Sequence, residues 1–333
     1  MAKIVFFEVS IEEEAYLKKA FQSEDVDYKT EKLEESNVQS FQDAEIISTF
    51  IYSALNKQVL ERLPKLKFIA TRSMGFDHID VEFCKEKGIK VANVPTYGAH
   101  TVAEHTFALI LAISRKLIES VEQAKRGDFS SVGLEGFDLN GKTLGVLGTG
   151  NIGANVCQLG LSFGMNVLAY NRSQNQDLVS KGVKYVSLDE LLGSSDIITL
   201  HLPHTKETEH IISLANLDKI KKGAILINTA RGSLIETLAI AEGLEKGILS
   251  AAGLDVLEEE AHLREEKELL SEEYLKKVDI KTEFLDHVLL TRDDVVITPH
   301  NAFNSKEAME EILEISVANI KGYINNTPTN VIE

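Results

Sequence analysis

Short apolar runs alternate with amphipathic stretches along most of the chain. The runs are rich in β-branched residues and predict strands, whereas stretches such as 12–20 and 81–87 have the length of helices. This alternation is typical of βαβ units with parallel sheets, and strands that are apolar throughout indicate helices on both faces. The expected fold class is therefore α/β with doubly wound parallel sheets. The predicted strands are 3–9, 45–49, 67–71, 90–94, 143–147, 166–170, 196–200, 224–228 and 295–298.

The alternation is interrupted once, by a polar turn over 95–100. A helical pattern over 101–125 and a glycine-rich stretch over 127–141 follow, and a new strand begins at Thr143. We interpret the long helix as a bridge between two α/β domains. The final helical segment, 306–322, belongs to the first domain only if that domain is discontinuous, which the pattern leaves open.

The charge and the cysteine content narrow the range of functions. A formal net charge of −17 argues against nucleic acid or an anionic membrane as a main partner. It does not exclude a small anionic substrate, because nearby cationic side chains set the field inside a cleft. Two cysteines provide no disulfide framework, and the histidine spacing predicts no metal site. The first residues lack the pattern of a signal peptide and the longest apolar stretch is too short to span a bilayer, so we expect a cytoplasmic protein.

A glycine-rich turn carries the strongest local signal. It follows a predicted strand directly and opens a helical stretch, which is the context that a dinucleotide-binding turn requires. Gly148 permits a tight turn, Gly150 allows the backbone to approach a pyrophosphate, and Gly153 allows close packing of helix and strand. The helix N-terminus would then offer free N–H groups to the phosphates. The motif consists of Gly148, Thr149, Gly150, Asn151, Ile152 and Gly153.

The end of the next strand bears on the choice of coenzyme. An NAD-selective site places Asp or Glu there to bind the ribose diol, but this chain has Asn171, Arg172 and Ser173. Asn171 would not repel a 2′-phosphate, Arg172 would pair with one, and Ser173 would donate a hydrogen bond to it. Alternatively, Arg172 stacks on the adenine or points into water. The pattern favours NADP(H) slightly and leaves NAD(H) open.

Three further residues follow strands or strand-like runs and suit the reduction of a keto acid. Arg231 follows strand 224–228 and has a planar cationic fork that matches a carboxylate. His300 follows strand 295–298 and would donate a proton to the developing alkoxide, since imidazole titrates near neutral pH. Glu260 would favour the protonated imidazole. Taken alone, a histidine after a strand is more often a structural hydrogen-bonding residue, so the hypothesis depends on the three residues together and on the dinucleotide turn.

Between residues 46 and 303 the sequence resembles the D-isomer-specific 2-hydroxyacid dehydrogenases. The resemblance implies that Arg231, Glu260 and His300 are the catalytic residues. It also implies that Thr229, Ala230 and Asp255 line the coenzyme site. The motifs that carry it lie at 72–80, 102–106, 147–153, 228–232, 253–256 and 298–300.

The resemblance also implies a domain organisation. A flavodoxin-like substrate domain would comprise 1–100 and 302–333, and a Rossmann coenzyme domain at 101–301 would be inserted in it. Members of the family are usually dimers that associate through their coenzyme domains. We therefore expect a homodimer with a small-molecule substrate.

Within the family, the sequence is most similar to the D-lactate dehydrogenase branch. The similarity implies that Tyr52 and Tyr97 line the substrate pocket and that the N–H groups of Met74 and Gly75 bind the substrate carboxylate. Packing in the core or at the surface is the alternative for the two tyrosines. Phe303 is the one aromatic residue after the histidine, where that branch commonly has a pair, which changes the expected substrate preference.

The expected reaction is the interconversion of a small 2-keto acid and its D-2-hydroxy acid, with pyruvate and D-lactate first. One alternative is a reductase of glyoxylate, hydroxypyruvate or a bulkier 2-keto acid. Another, from a different class, is a regulatory protein that senses NAD(H) without turnover, since a fold does not fix a function.

Overall fold

The computed structural model describes residues 2–258 and 280–332. The chain divides into two compact units, Met1–Gly98 with Ser305–Glu333, and Ala99–Asn304. The strands are β1 (Lys3–Phe6), β2 (Asp25–Tyr28), β3 (Ile46–Thr49), β4 (Phe68–Thr71), β5 (Lys90–Ala92), β6 (Thr143–Leu147), β7 (Asn166–Tyr170), β8 (Lys184–Tyr185), β9 (Ile197–Leu200), β10 (Ala224–Asn228), β11 (Leu249–Leu254) and β12 (Val295–Ile297). The α-helices are α1 (Ile11–Ala20), α2 (Lys57–Leu60), α3 (Val81–Lys87), α4 (Ala99–Ser114), α5 (Leu117–Lys125), α6 (Asn151–Ser162), α7 (Gln176–Ser180), α8 (Leu188–Ser194), α9 (Thr237–Glu245), α10 (Ile280–Leu290) and α11 (Lys306–Ile324).

The first unit is built on a five-stranded parallel sheet in the order β2-β1-β3-β4-β5. Apolar side chains cover both faces, as the uninterrupted apolar runs predict. Helix α11 packs against β4, where the rings of Phe68 and Tyr323 stack with centroids 4.3 Å apart. The last helix of the chain therefore belongs to the core of the first sheet.

The second unit has a seven-stranded parallel sheet in the order β12-β11-β10-β9-β6-β7-β8. After β8 the chain returns to the other side of β6, so the strand order reverses between β6 and β9. Open α/β sheets bind ligands at such a reversal, outside the carboxyl ends of the strands. The turns after β6, β9, β10, β11 and β12 all lie along that edge.

The elements differ from the sequence predictions at four places. Strand β11 is absent from the predicted strands, because its Ser, Ala and Gly residues have low β propensity. The single helix predicted over 101–125 is two helices, α4 and α5, because Lys116 adopts a left-handed φ of 51° and ends the first. Strands β2 and β8 lie at sheet edges and have short, polar sequences that carry little signal. These four features depend on packing against neighbouring elements more than on local periodicity.

Candidate active site

The glycine turn connects β6 to α6, and two of its glycines pack closely against backbone atoms. Gly148 has a left-handed φ of 94° and donates its N–H to Tyr170 O over 2.8 Å. A Cβ at Gly148 would lie 2.6 Å from His201 O, and one at Gly153 would lie 1.9 Å from Gly148 O. Side chains at these two positions would push the helix away from the sheet, so both glycines are needed for the turn itself.

Gly150 has a different requirement. A Cβ added there would meet nothing within 4 Å among the described residues. Gly150 is the N-cap of α6, and none of the described side chains caps this 12-residue helix. The first N–H groups of α6 are therefore available to a ligand, and the exposed backbone at Gly150 leaves room for a phosphate. The turn fits the pyrophosphate of a dinucleotide.

Thr149 links the turn to β8, the strand at the edge of the sheet. Its hydroxyl accepts a hydrogen bond from Tyr185 Oη over 2.9 Å, and that phenol oxygen in turn accepts the Asn175 N–H over 3.0 Å. This link ties the turn to β8 and to the start of α7. Thr149 thus has a structural partner, whichever ligand the turn holds.

The residues after β7 present a cation to solvent. Asn171 donates its side-chain amide to Ser173 O over 2.8 Å, which closes the turn, and Arg172 is exposed. The pKa of Glu207 lies below its ordinary value, chiefly because the Thr205 hydroxyl donates to its carboxylate and in smaller part because of the positive charge of Arg172. The three residues that follow β7 include no carboxylate, but Glu207 lies close enough to Arg172 to feel its charge.

His201 follows β9 and lies beneath the glycine turn. Its Nε2 shares a hydrogen bond with Thr199 Oγ1 over 2.9 Å, and its Nδ1 is shielded from solvent with no partner among the described residues. Burial lowers the pKa of His201 to about 3, so the ring is neutral at physiological pH. Its position supports the Gly148–Gly153 packing, since its Cβ lies 3.3 Å from a Cβ built on Gly153.

The loop after β10 carries Arg231 and is held by a buried asparagine. Asn228 accepts the Ala230 N–H over 3.0 Å and donates to Arg231 O over 2.8 Å. Thr229 is buried, and its hydroxyl hydrogen-bonds that of Thr106 in α4 over 2.9 Å. These contacts fix the backbone on both sides of Arg231, a residue that is partly buried.

Asp255, at the end of β11, organises the loop that carries His300. Its carboxylate is buried and accepts the N–H groups of Asn301 over 2.8 Å and Ala302 over 2.9 Å, together with the Thr298 hydroxyl. His300 adopts a left-handed φ of 51° and donates its N–H to Asp255 O over 2.8 Å. The aspartate oxygens are thus used by the loop itself, a role that the sequence reasoning did not assign to Asp255.

Arg231 and His300 follow two strands that flank β11. The Asp255 N–H donates to Asn228 O over 2.8 Å, and the Asp255 carbonyl accepts from His300, so one backbone path links the two loops. Glu260 lies outside the described residues. The nearby Glu258 accepts the N–H and hydroxyl of Thr237 and pairs with His210.

The remaining predicted substrate residues lie in separate units. Met74 O accepts from the Asn93 amide over 2.7 Å, and Gly75 O accepts from the Ser73 hydroxyl over 2.7 Å. Tyr97 is 8% exposed and Tyr52 is 47% exposed. These residues belong to the first unit. Phe303 belongs to the second, with its ring edge-on to His300 at a centroid distance of 6.4 Å.

Comparison with known proteins identifies the family. A family model described as D-isomer specific 2-hydroxyacid dehydrogenase, NAD binding domain, matches residues 107–302. A 2-hydroxyacid dehydrogenase homolog of Haemophilus influenzae is 36% identical over 290 residues, which cover 86% of this chain and 85% of that protein. The chain belongs to the D-isomer-specific 2-hydroxyacid dehydrogenases. The predicted family, its oxidoreductase class and the two parallel-sheet α/β domains are thereby confirmed.

Two more similar proteins match along most of the chain. A glyoxylate reductase of Thermococcus litoralis is 33% identical over 304 residues, 89% of this chain and 85% of that protein. The solved structure of a D-lactate dehydrogenase from Aquifex aeolicus, complexed with NAD and lactic acid, has a TM-score of 0.88 and 38% identity. It covers 97% of this chain and 96% of that chain. The similarity therefore extends through both units.

Sequence reasoning missed several residues that hold the loops of the candidate site. Asn228, Thr106 and Thr298 hold the loops through their side-chain hydrogen bonds. The one available signal was a polar residue at the end of an apolar strand, as at Asn228. Within 2–258 and 280–332, no cluster of three His, Cys, Asp or Glu side chains is arranged to hold a metal ion, and no helix has the length and apolarity to cross a bilayer.

Proposed function

We propose that this protein reduces a small 2-keto acid to its D-2-hydroxy acid with a nicotinamide coenzyme, and that pyruvate is the preferred substrate. One observation carries the proposal. The loops of Arg231 and His300 and the glycine turn all follow strands at the carboxyl edge of one parallel sheet. A cation, a proton donor and a phosphate cradle are the components that this reaction needs.

The coenzyme would bind with its pyrophosphate at the turn from Gly148 to Gly153. The open position at Gly150 and the uncapped N-terminus of α6 support this placement. Thr229, Ala230 and Asp255 would border its nicotinamide half. When bound, the coenzyme supplies the hydride that the carbonyl carbon accepts.

The protein's own residues bind and polarise the substrate. Arg231 holds the carboxylate and draws electron density toward the ketone oxygen, and the N–H groups of Met74 and Gly75 bind the same carboxylate. As the C=O π bond breaks, His300 donates a proton to the oxygen, which becomes the hydroxyl group. Glu260 is proposed as the carboxylate that stabilises the charged imidazole.

The size of the substrate side chain would be set by the aromatic residues Tyr52, Tyr97 and Phe303. The similarity to a D-lactate dehydrogenase structure solved with lactic acid favours pyruvate. The similarity to a glyoxylate reductase supports glyoxylate as the second candidate. Both substrates place one carboxylate and one carbonyl before the same cation.

The test is the oxidation of NADH and of NADPH, followed by absorbance, with pyruvate, glyoxylate, hydroxypyruvate and a branched 2-keto acid. The expected result is the highest kcat/KM with pyruvate and a product that is D-lactate by chiral chromatography. A product of L configuration, or no reduction of any keto acid, would overturn the proposal. Coenzyme binding without turnover would favour a regulatory NAD(H) sensor.

We propose a slight preference for NADPH, which rests on Arg172. The exposed guanidinium would pair with a 2′-phosphate, whereas Asn171 offers no carboxylate to a ribose diol. Arg172→Ala should lower kcat/KM for NADPH by about tenfold, the loss of one charge-assisted hydrogen bond, and leave NADH nearly unchanged. An equal fall with both coenzymes would contradict this preference.

We also propose a homodimer formed through the second unit. Helix α5, wholly within the described part of the chain, has no buried residue, and it exposes an apolar face that continues into the following loop. Phe129 is 88% exposed and Val132 is 84% exposed, which is typical of a surface that a second copy covers. The apolar residues are Leu117, Ile118, Val121, Phe129 and Val132.

Light scattering after size exclusion should give twice the chain mass for the wild type. The double variant Phe129→Asp, Val132→Asp should give the mass of one chain, because it buries two charges in the interface. Val179→Asp, at another exposed apolar residue, is the control and should leave the mass unchanged. A wild type of single-chain mass would refute the dimer.

A further inference from the structure

Glu8 lies just after β1 in an unusual backbone conformation. Its φ is 57°, in the left-handed region that costs a non-glycine residue free energy. Its N–H donates to Glu31 O over 3.1 Å, and its carbonyl accepts from Arg72 Nη2 over 2.7 Å. Both backbone groups are thus held, and the strained conformation directs the carboxylate toward the segment after β3.

The Glu8 carboxylate binds the loop that carries Tyr52. One oxygen accepts the Tyr52 N–H over 2.8 Å, and the other accepts the Ser53 N–H over 2.9 Å and the Ser53 hydroxyl. Ser53 is buried, and its hydroxyl oxygen also accepts the Leu33 N–H over 2.9 Å. The backbone of Tyr52 is therefore fixed by a residue 44 positions earlier in the chain.

The ring of Tyr52 is carried by the backbone that Glu8 holds. Tyr52 is 47% exposed, and its ring makes an edge-on contact with Phe50 at a centroid distance of 6.0 Å. The position of the ring depends on the backbone that bears it. The hydrogen bonds to Glu8 restrain that backbone, and they are strong because their acceptor is charged.

A buried arginine secures Glu8 in turn. Arg72 is fully buried, and its guanidinium donates to Phe7 O over 2.8 Å, Glu8 O over 2.7 Å and Ser48 Oγ over 3.2 Å. The Glu13 carboxylate lies 3.7 Å from Arg72 Nε and balances its charge. Arg72 directly follows β4, and it donates to Ser48 in β3 and to two carbonyls just after β1. This side chain therefore ties β1, β3 and β4 together.

We propose that Glu8 is a positioning residue for substrate specificity: its carboxylate fixes Tyr52, and Tyr52 sets the size of the substrate side chain. This inference rests on the proposed function, because it takes Tyr52 as part of the substrate pocket. Glu8 itself does not contact substrate. A carboxylate is required because three donors converge on its two oxygens, whereas an amide has one oxygen and would turn an NH₂ group toward an N–H group.

The first test is the variant Glu8→Gln, which keeps the size of the side chain. The ratio of kcat/KM for pyruvate to that for a branched 2-keto acid should fall by about tenfold, the usual loss for a hydrogen bond to a charged group. The change should come from KM for the keto acid, and KM for the coenzyme should stay within about twofold. An unchanged ratio would overturn the inference.

A double-mutant cycle asks whether Glu8 acts through Tyr52. In the Tyr52→Leu background, Glu8→Gln should change the substrate ratio by less than about twofold, because the ring that it positions is absent. A full tenfold effect in that background would overturn the proposal. Glu12→Gln is the matched control, since Glu12 is an exposed carboxylate in the first turn of α1 outside the contacts of Arg72, Glu8 and Tyr52, and it should leave the ratio unchanged.

A second measurement does not depend on turnover. Amide hydrogen exchange at Tyr52 and Ser53 should become about tenfold faster in Glu8→Gln than in the wild type. Unchanged exchange at both amides would overturn the inference. If Glu8→Gln does not fold, Glu8→Gly removes the carboxylate and relieves the left-handed strain, and the same results are expected of it. If the wild type reduces no keto acid, the proposed function is refuted. Amide exchange at Tyr52 and Ser53 then still tests whether Glu8 fixes the backbone of Tyr52.

Discussion

His300 combines the imidazole that is proposed as the proton donor with a strained backbone conformation. Its left-handed φ of 51° is held by its N–H bond to Asp255 O, and the next two N–H groups bind the Asp255 carboxylate. Strain of this kind persists where the surrounding structure over-determines it. The imidazole and the support of its loop therefore belong to two different residues, and substitutions can separate the two contributions.

His300→Gln should remove the proton donor and keep the loop. We expect kcat for keto-acid reduction to fall by at least about a hundredfold, the low end for a lost general acid. Coenzyme affinity and thermal unfolding should change little, because the backbone N–H that binds Asp255 O remains. Steady-state kinetics and calorimetry measure both effects. Normal turnover in the variant would remove His300 from the mechanism.

Asp255→Asn should damage the support while leaving the imidazole in place. An amide has one acceptor oxygen for a buried site that needs two, so the free energy of unfolding should fall by about 1–3 kcal/mol. Activity should fall with it as the loop loosens. Asp177→Asn, at an exposed carboxylate paired with Lys181, is the control, with an expected change within about 0.5 kcal/mol. Equal stability of the two variants in denaturant titrations would contradict the role of Asp255.

At the scale of elements, the β6–α6 connection assigns different tasks to glycines in one motif. Gly148 and Gly153 have no room for a Cβ because of the backbone around them, whereas Gly150 faces open space. The motif in the sequence does not distinguish these requirements. Two of its glycines serve the fold, and the third serves the ligand that the turn is proposed to hold.

Alanine substitutions should separate these tasks. Gly153→Ala should lower the free energy of unfolding by about 1–3 kcal/mol, since its Cβ would overlap Gly148 O. Gly150→Ala should leave stability nearly unchanged and raise the dissociation constant for the dinucleotide by at least about tenfold, because the Cβ fills the pyrophosphate approach. Gly193→Ala, in α8 with its nearest contact at 3.5 Å, is the control for both. Coenzyme titration by calorimetry would contradict the assignment if Gly150→Ala bound normally.

At the scale of the whole molecule, the negative charge has to be compatible with folding. The formal net charge is −17, which destabilises the folded state through repulsion between like charges. Hydrogen bonds and ion pairs with cationic side chains offset this repulsion at several carboxylates. The pKa of Asp294 is lowered chiefly by the hydrogen bond from Arg292. Burial raises the pKa of Asp196, but hydrogen bonds from Lys221 and from the Thr143 N–H outweigh it, so the net shift is downward.

These shifts predict the pH dependence of stability. A carboxyl group whose pKa is lowered by folding stabilises the protein above its unfolded pKa of about 4, and this stabilisation is lost as the pH falls through the folded value. The free energy of unfolding should therefore decrease below about pH 4. Asp294→Asn should show a smaller decrease in denaturant titrations across that window. Constant stability down to pH 3 would contradict these assignments.

The sequence by itself determined the family, the α/β class and the turn from β6 to α6. These features follow from local periodicity and from short motifs, in which each residue's task depends on neighbours a few positions away. The break between α4 and α5 was missed, because Lys116 carries no Gly or Pro signal at that position.

Tertiary structure alone decided which residues support the site. Asp255 meets the loop after His300 across 47 positions, His105 meets Thr298 across 193, and Glu8 meets Tyr52 across 44. Such contacts depend on the order of strands in the sheets and on buried hydrogen bonds that each need a partner. A local pattern predicts that a strand exists, whereas only the assembled sheet places the end of one strand beside another.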